Sequence, residues 1–183
     1  MFCNICLLLA DRWLRFNQRK QNDLIDLRRK LQLTLYGSFR PSSEKKLLTR
    51  LKRHLIEQGF SNTRLVSDFS NVNSLDILEI SKECLEFSHV NFLIFTRQGK
   101  RHGVIRELAF VADSPAMKHK ISDCMVFDQI LNNKSSVPPL SKMDIKNTGL
   151  VKREFTTELG LRRIISRCAT WQIGRLRNTI LLE

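Results

Sequence analysis

Glu107 stands four residues after Gly103 in Gly103-Val104-Ile105-Arg106-Glu107-Leu108, behind the polar loop Arg97-Gln98-Gly99-Lys100-Arg101-His102. Four residues is about one helical turn, so this carboxylate projects near a helix N-terminus, where partial positive charge and neighbouring arginines keep it ionised. An ionised carboxylate so placed can stabilise a developing cation, which is the chemistry of bond cleavage at a sugar C1. A second group is Gly37-Ser38-Phe39-Arg40, closing the aliphatic run Leu31–Arg40. It offers backbone N–H groups, a hydroxyl and a guanidinium at one mouth, the means by which α/β proteins hold phosphate. Asp68, in Thr63–Phe69, adds a second carboxylate at the end of a short strand pattern. Plainer uses exist: a surface ion pair for Glu107, a turn cap for Asp68, and a merely permissive backbone for Gly37.

These residues meet only if strands and helices carry them to one edge. Leu31–Arg40 reads as a first strand, and Ser42-Ser43-Glu44 as the cap of a helix with apolar Leu47, Leu48, Leu51, Leu55 and Ile56, ending at Gly59. After a loop at Ser70–Ser74, Asp76–Phe87 has helical spacing. Val90–Thr96, VNFLIFT, is continuously apolar, as a parallel strand covered on both faces must be. A helix over Val104–Ala112 and a strand within Lys120–Gln129 follow. This alternation predicts βαβ units. The expected fold is α/β, a three-layer α/β/α sandwich with a mainly parallel four- or five-stranded sheet of Rossmann or flavodoxin-like type, plus N-terminal and C-terminal helices. In such a sheet the ligand crevice lies outside the carboxyl ends of the strands. That rule gathers Gly37, Ser38, Phe39, Arg40, Asp68, the loop Arg97–Gly103 and Glu107.

Four segments are expected. Residues 1–30 form an amphipathic helix, better suited to packing across the core than to a membrane surface or to oligomerisation. Residues 31–130 form the nucleotide-binding-like core. Residues 131–150, with Ser135-Ser136-Val137-Pro138-Pro139, read as a linker without periodic pattern. Residues 151–183 supply a strand at Val151–Phe155 and a helix from Thr157 with Leu161, Ile164, Ile165, Cys168, Trp171 and Leu176 inward.

The chain of 183 residues carries a formal net charge of +13, which favours anionic partners: a nucleotide or nucleoside ligand and, without sequence preference, nucleic acid. Specific base reading is unsupported, since no RGG, zinc-finger or RNP-type pattern accompanies the charge. Five cysteines at irregular spacing read as reduced thiols in the cytoplasm, with Cys84, Cys124 and Cys168 in the core. Cys3 and Cys6 form a lone C-x-x-C without a second pair, so neither metal nor cofactor is expected. The apolar Met1–Ala10 is too short to span a bilayer. His54, His89 and His119 read as surface or packing residues. A homo-oligomer is compatible with all of this.

Leu35-Tyr36-Gly37-Ser38-Phe39-Arg40, the strand VNFLIF, and Gly103-Val104-Ile105-Arg106-Glu107-Leu108 followed by Ala109 and Ala112 together resemble the nucleoside 2-deoxyribosyltransferase-like superfamily, particularly its nucleotide N-hydrolase branch. The resemblance spans about residues 31–127. It implies a nucleotide or nucleoside N-glycosidase, or a deoxyribosyltransferase, acting on the N-glycosidic bond. Glu107 then takes the place of the catalytic glutamate, and Gly37, Ser38, Phe39 and Arg40 match the turn holding sugar and 5′-phosphate. Gly103 keeps the family's glycine, while Arg101 falls where the family has a phosphate-binding serine. Ser81 falls on or near the family's helical aspartate, a loss that removes an acid for the departing base; Asp68 or His102 would have to replace it. The alternative is a catalytically inactive nucleotide-sensing or nucleic-acid or partner-binding module on the same fold. A TIR-like, NAD-cleaving reading shares the strand order and a helical glutamate but no further motif.

Overall fold

Side chains alternate between the two faces of a strand, and here both faces are apolar, so the sheet must be covered twice. Leu33, Leu35, Phe92, Ile94, Met125 and Phe127 belong to one core cluster; Tyr36, Leu93, Phe95, Cys124 and Val126 belong to another. The computed structural model describes residues 17–18, 20–69, 77–100, 102–138, 145 and 148–182. Among these, residues 20–30 form helix α1. There follow β1 (Leu33–Tyr36), α2 (Ser42–Glu57), β2 (Thr63–Leu65), α3 (Ile77–Phe87), β3 (Val90–Phe95), α4 (His102–Asp113), β4 (Cys124–Leu131), β5 (Lys134–Ser135), β6 (Val151–Phe155) and α5 (Glu158–Leu182).

The fold is α/β with a mostly parallel mixed sheet. Its parallel strands run β2-β1-β3-β4-β6, and β5 pairs antiparallel with the end of β4. From β1 the chain goes first to β2 on one side and then to β3 on the other, so the order reverses between β1 and β3. A crevice belongs outside the carboxyl ends of these two strands. Leu48, Leu51 and Leu55 of α2 and Leu161, Ile165 and Ile173 of α5 complete the first cluster; Ile80 and Leu85 of α3 and Val104, Leu108 and Val111 of α4 complete the second.

The end of α2 follows its sequence signal. Gly59 has φ +92°, its N–H bonds to Ile56 O and the Phe60 N–H to Leu55 O, a left-handed glycine cap with Leu55 and Phe60 buried together. The start does not. Pro41 is the N-cap, whose side chain has no acceptor to offer the helix, and Glu44 turns inward and accepts from the Thr96 hydroxyl at 2.5 Å.

Residues 131–138 also depart from the linker reading. Asn132 and Asn133 have φ 50° and 57°, the positive pair that a two-residue hairpin turn requires, and β5 folds back on β4. Asp128, fully buried, fastens this hairpin. Its carboxylate accepts from the Ser136 and Val137 amides at 2.7 and 3.1 Å and from the Ser135 hydroxyl at 2.5 Å, and pairs with Lys152 at 2.7 Å. Trp171 corrects another expectation: it is 55% exposed rather than inward. Cys84, Cys124 and Cys168 are buried free thiols. Of α1, Leu27 is buried in the first cluster, while Leu24 and Ile25 are exposed. Cys3, Cys6 and Met1–Ala10 lie outside the described residues. Among those residues no helix is long and apolar enough to cross a membrane.

Candidate functional site

β1 ends at Tyr36, and the turn after it carries Gly37 to Arg40 to the sheet's reversal point. Gly37 packs closely on α2: a Cβ there would lie 2.7 Å from Leu48 Cδ2, so the buried Leu48 side chain would have to shift. Ser38 is buried, and its hydroxyl donates to Arg40 O at 2.5 Å. Phe39 packs partly against the first core cluster, and Arg40 is exposed. The Arg40–Pro41 peptide is cis.

The loop after β3 comes to the same place. The Lys100 N–H donates to Arg40 O at 3.1 Å, and a Cβ on Gly99 would lie 2.7 Å from Ser38 Cβ and 2.8 Å from Thr96 Oγ1. The two loops that the sequence assigns to one crevice therefore touch, leaving no room for a water-sized molecule among Ser38, Thr96, Gly99 and Val104. Glu44, buried at the first turn of α2, reaches this wall through its bond to Thr96. Reading it as a cap residue misses this, because its partner is 52 positions away.

Glu107 is neither a surface ion pair nor an open acid. The amphipathic spacing of α4 sets Val104, Leu108 and Val111 on the sheet, and Glu107 turns toward α3. There the Ser81 hydroxyl donates to Glu107 Oε1 at 2.5 Å, while Oε2 is buried without a hydrogen-bond partner. Burial pushes the Glu107 carboxyl from 4.5 up to about 7, against the lowering effect of the Ser81 bond. Tyr36 and Cys84 share this environment. Burial raises the Tyr36 hydroxyl well above 10.0, with smaller upward contributions from Cys84 and Glu107. Burial, then Glu83 and Glu107, pushes the Cys84 thiol up to about 11. Cys124 is driven by burial up to about 12. Such thiols are inert at neutral pH.

Asp68 has a different occupation. Its Oδ2 accepts from Lys52 Nζ at 2.8 Å and from the Leu65 amide at 2.7 Å, so it caps the turn after β2 and ties it to α2. Gly103 lies in open space, where a Cβ would meet nothing within 4 Å, and His102 is exposed beside it. Arg101 lies outside the described residues. His89 is buried and accepts from the Gln32 amide at 3.0 Å; His54 bonds Ser166 at 2.9 Å. Among the described residues no group of three His, Cys, Asp or Glu is disposed to hold a metal.

The structure thus brings together Gly37 to Arg40 with Gly99 and Lys100 at the crevice, and Glu107 with Ser81 and Tyr36 between α3 and the sheet. No family model, curated protein or solved structure matches the chain.

Proposed function

We propose that the chain is a nucleotide-binding module on a flavodoxin-like three-layer α/β/α sandwich, resembling the nucleoside 2-deoxyribosyltransferase-like superfamily without its full catalytic set. The observation that carries this reading is the 2.5 Å bond from Ser81 to Glu107. Cleaving an N-glycosidic bond needs one group ionised to stabilise the oxocarbenium-like centre and another to protonate the departing base. At the position where the resemblance sets an aspartate, this chain offers a hydroxyl already committed to Glu107. A single carboxyl with a pKa of about 7 cannot be ionised and protonated in the same step. Asp68, engaged by Lys52 and Leu65, is not a substitute.

Binding requires Gly99 and Lys100 to lift from Ser38 and Arg40, opening the mouth at the sheet's reversal point. The phosphate then takes the turn's N–H groups and the exposed Arg40 guanidinium. Calorimetric titration with nucleosides and their monophosphates tests this. The monophosphates bind more tightly, and Arg40→Ala removes most of the difference, roughly tenfold or more for charge-assisted hydrogen bonds. Equal affinity for nucleoside and monophosphate, or a variant that binds like the parent, contradicts it.

A second reading, the N-hydrolase, is favoured by one observation: a buried carboxyl near neutrality beside Tyr36 is the kind of group that enzymes use as a general acid. It requires another group for the cation.

A further inference from the structure

A second cavity lies away from the crevice, at the far edge of the sheet, with a volume of about 450 Å³, within the range of small-molecule sites. Sheet and helix periodicity build it together. Met125 and Val151 are paired neighbours on β4 and β6, Arg153 follows on the same face, and α5 presents Ile164, Arg167, Cys168 and Trp171 at helical spacing. β6 is the last parallel strand, and among the described residues no further strand covers this stripe.

The walls are apolar and the charge is of one sign. Val151 and Ile164 pack against the first core cluster, and Cys168 belongs to it. Burial pushes the Cys168 thiol up, while the Arg153 guanidinium, hydrogen-bonded to it, pulls it down, so the Arg153 head group lies at the cavity. Several other cations have acidic partners: Arg50 and Arg162 pair with Glu158, Lys152 with Asp128 and Glu154, and Arg175 with Asp123. Among the described residues neither Arg153 nor Arg167 is in an ion pair, and no carboxylate lines the cavity.

We propose that this cavity binds a small amphiphile with a single anionic head, its apolar body against Met125, Val151, Ile164 and Trp171 and its carboxylate or phosphate between Arg153 and Arg167. An apolar body alone would not select the two arginines, and an inorganic anion would not need the apolar walls. The site is separate from the Gly37 crevice and stands whatever that crevice binds.

The test uses the full chain and the fluorescent aromatic sulfonate 8-anilinonaphthalene-1-sulfonate as probe. Decanoate, decyl phosphate and decyltrimethylammonium, each below its micellar concentration, serve as competitors. The two anions displace the probe and the cation does not; whichever anion is stronger identifies the head group. The double substitution Arg153→Gln with Arg167→Gln, both at exposed positions, weakens probe binding about tenfold or more through loss of charge-assisted bonds. Its melting temperature remains that of the parent. Trp171→Ala, which removes an exposed wall, weakens the probe and both anions alike. Displacement by the ammonium as readily as by the acids, or full affinity in the double variant, overturns the proposal.

Discussion

Replacing Glu107 by Gln should change the pH dependence of stability in a defined window. In the folded chain burial moves this carboxyl from 4.5 to about 7. Below pH 4.5 both folded and unfolded states carry the proton, and burial costs nothing in charge. Between 4.5 and 7 the folded state holds a proton that the unfolded chain releases, so stability falls as pH rises. Above 7 the penalty is complete, at about 3 kcal/mol for a displacement of this size. Gln carries no charge and keeps an acceptor for Ser81. Its amide NH2 meets the place where Glu107 Oε2 has no partner, a pH-independent cost of about 1–3 kcal/mol. The diagnostic is therefore the slope. Urea unfolding at pH 4.5, 6 and 8, at fixed ionic strength, should show the variant gaining on the parent by about 3 kcal/mol across the window. Parallel curves would refute the buried, desolvated Glu107.

Asp128→Ala leaves the buried Ser136 and Val137 amides without their side-chain acceptor, while Lys152 keeps Glu154, and should destabilise by about 1–3 kcal/mol. Hydrogen exchange should show the loss first at those two amides. Gly37→Ala places a methyl 2.7 Å from Leu48 Cδ2 and should cost about 1–3 kcal/mol in thermal unfolding. Gly103→Ala, in open space within α4, should be neutral or stabilising by up to about 1 kcal/mol; a large loss there would imply a neighbour at Gly103.

What the sequence discloses is what depends on near neighbours. The apolar run VNFLIF appears as β3, all six residues buried, and Gly59 ends α2 because a left-handed cap is a local property. The helical spacing of Val104, Leu108 and Val111 turns α4 onto the sheet. Partners far apart in the chain are not legible in this way. Glu44 looks like a capping residue until Thr96 is beside it, and Asp128 looks like a polar interruption of a strand until residues 135–137 fold back onto it. The Asn132-Asn133 pair is a local hairpin signal that the reading of 131–150 as a linker passed over. Trp171 has correct helical spacing for an inward residue, yet it is exposed, since spacing fixes a face of the helix and not what packs against it. At the candidate site, Ser81 and Glu107 are 26 positions apart, so neither their hydrogen bond nor the burial of Glu107 Oε2 is legible in local spacing.

Incubation of the purified chain with a panel of nucleosides, nucleoside monophosphates and NAD, with free base followed by chromatography, bears most directly on the central claim. Monophosphates should bind without release of base, in the parent and in Glu107→Gln alike. Release of base by the parent that Glu107→Gln abolishes, with the ligand still bound, would contradict it and establish Glu107 as a catalytic carboxyl.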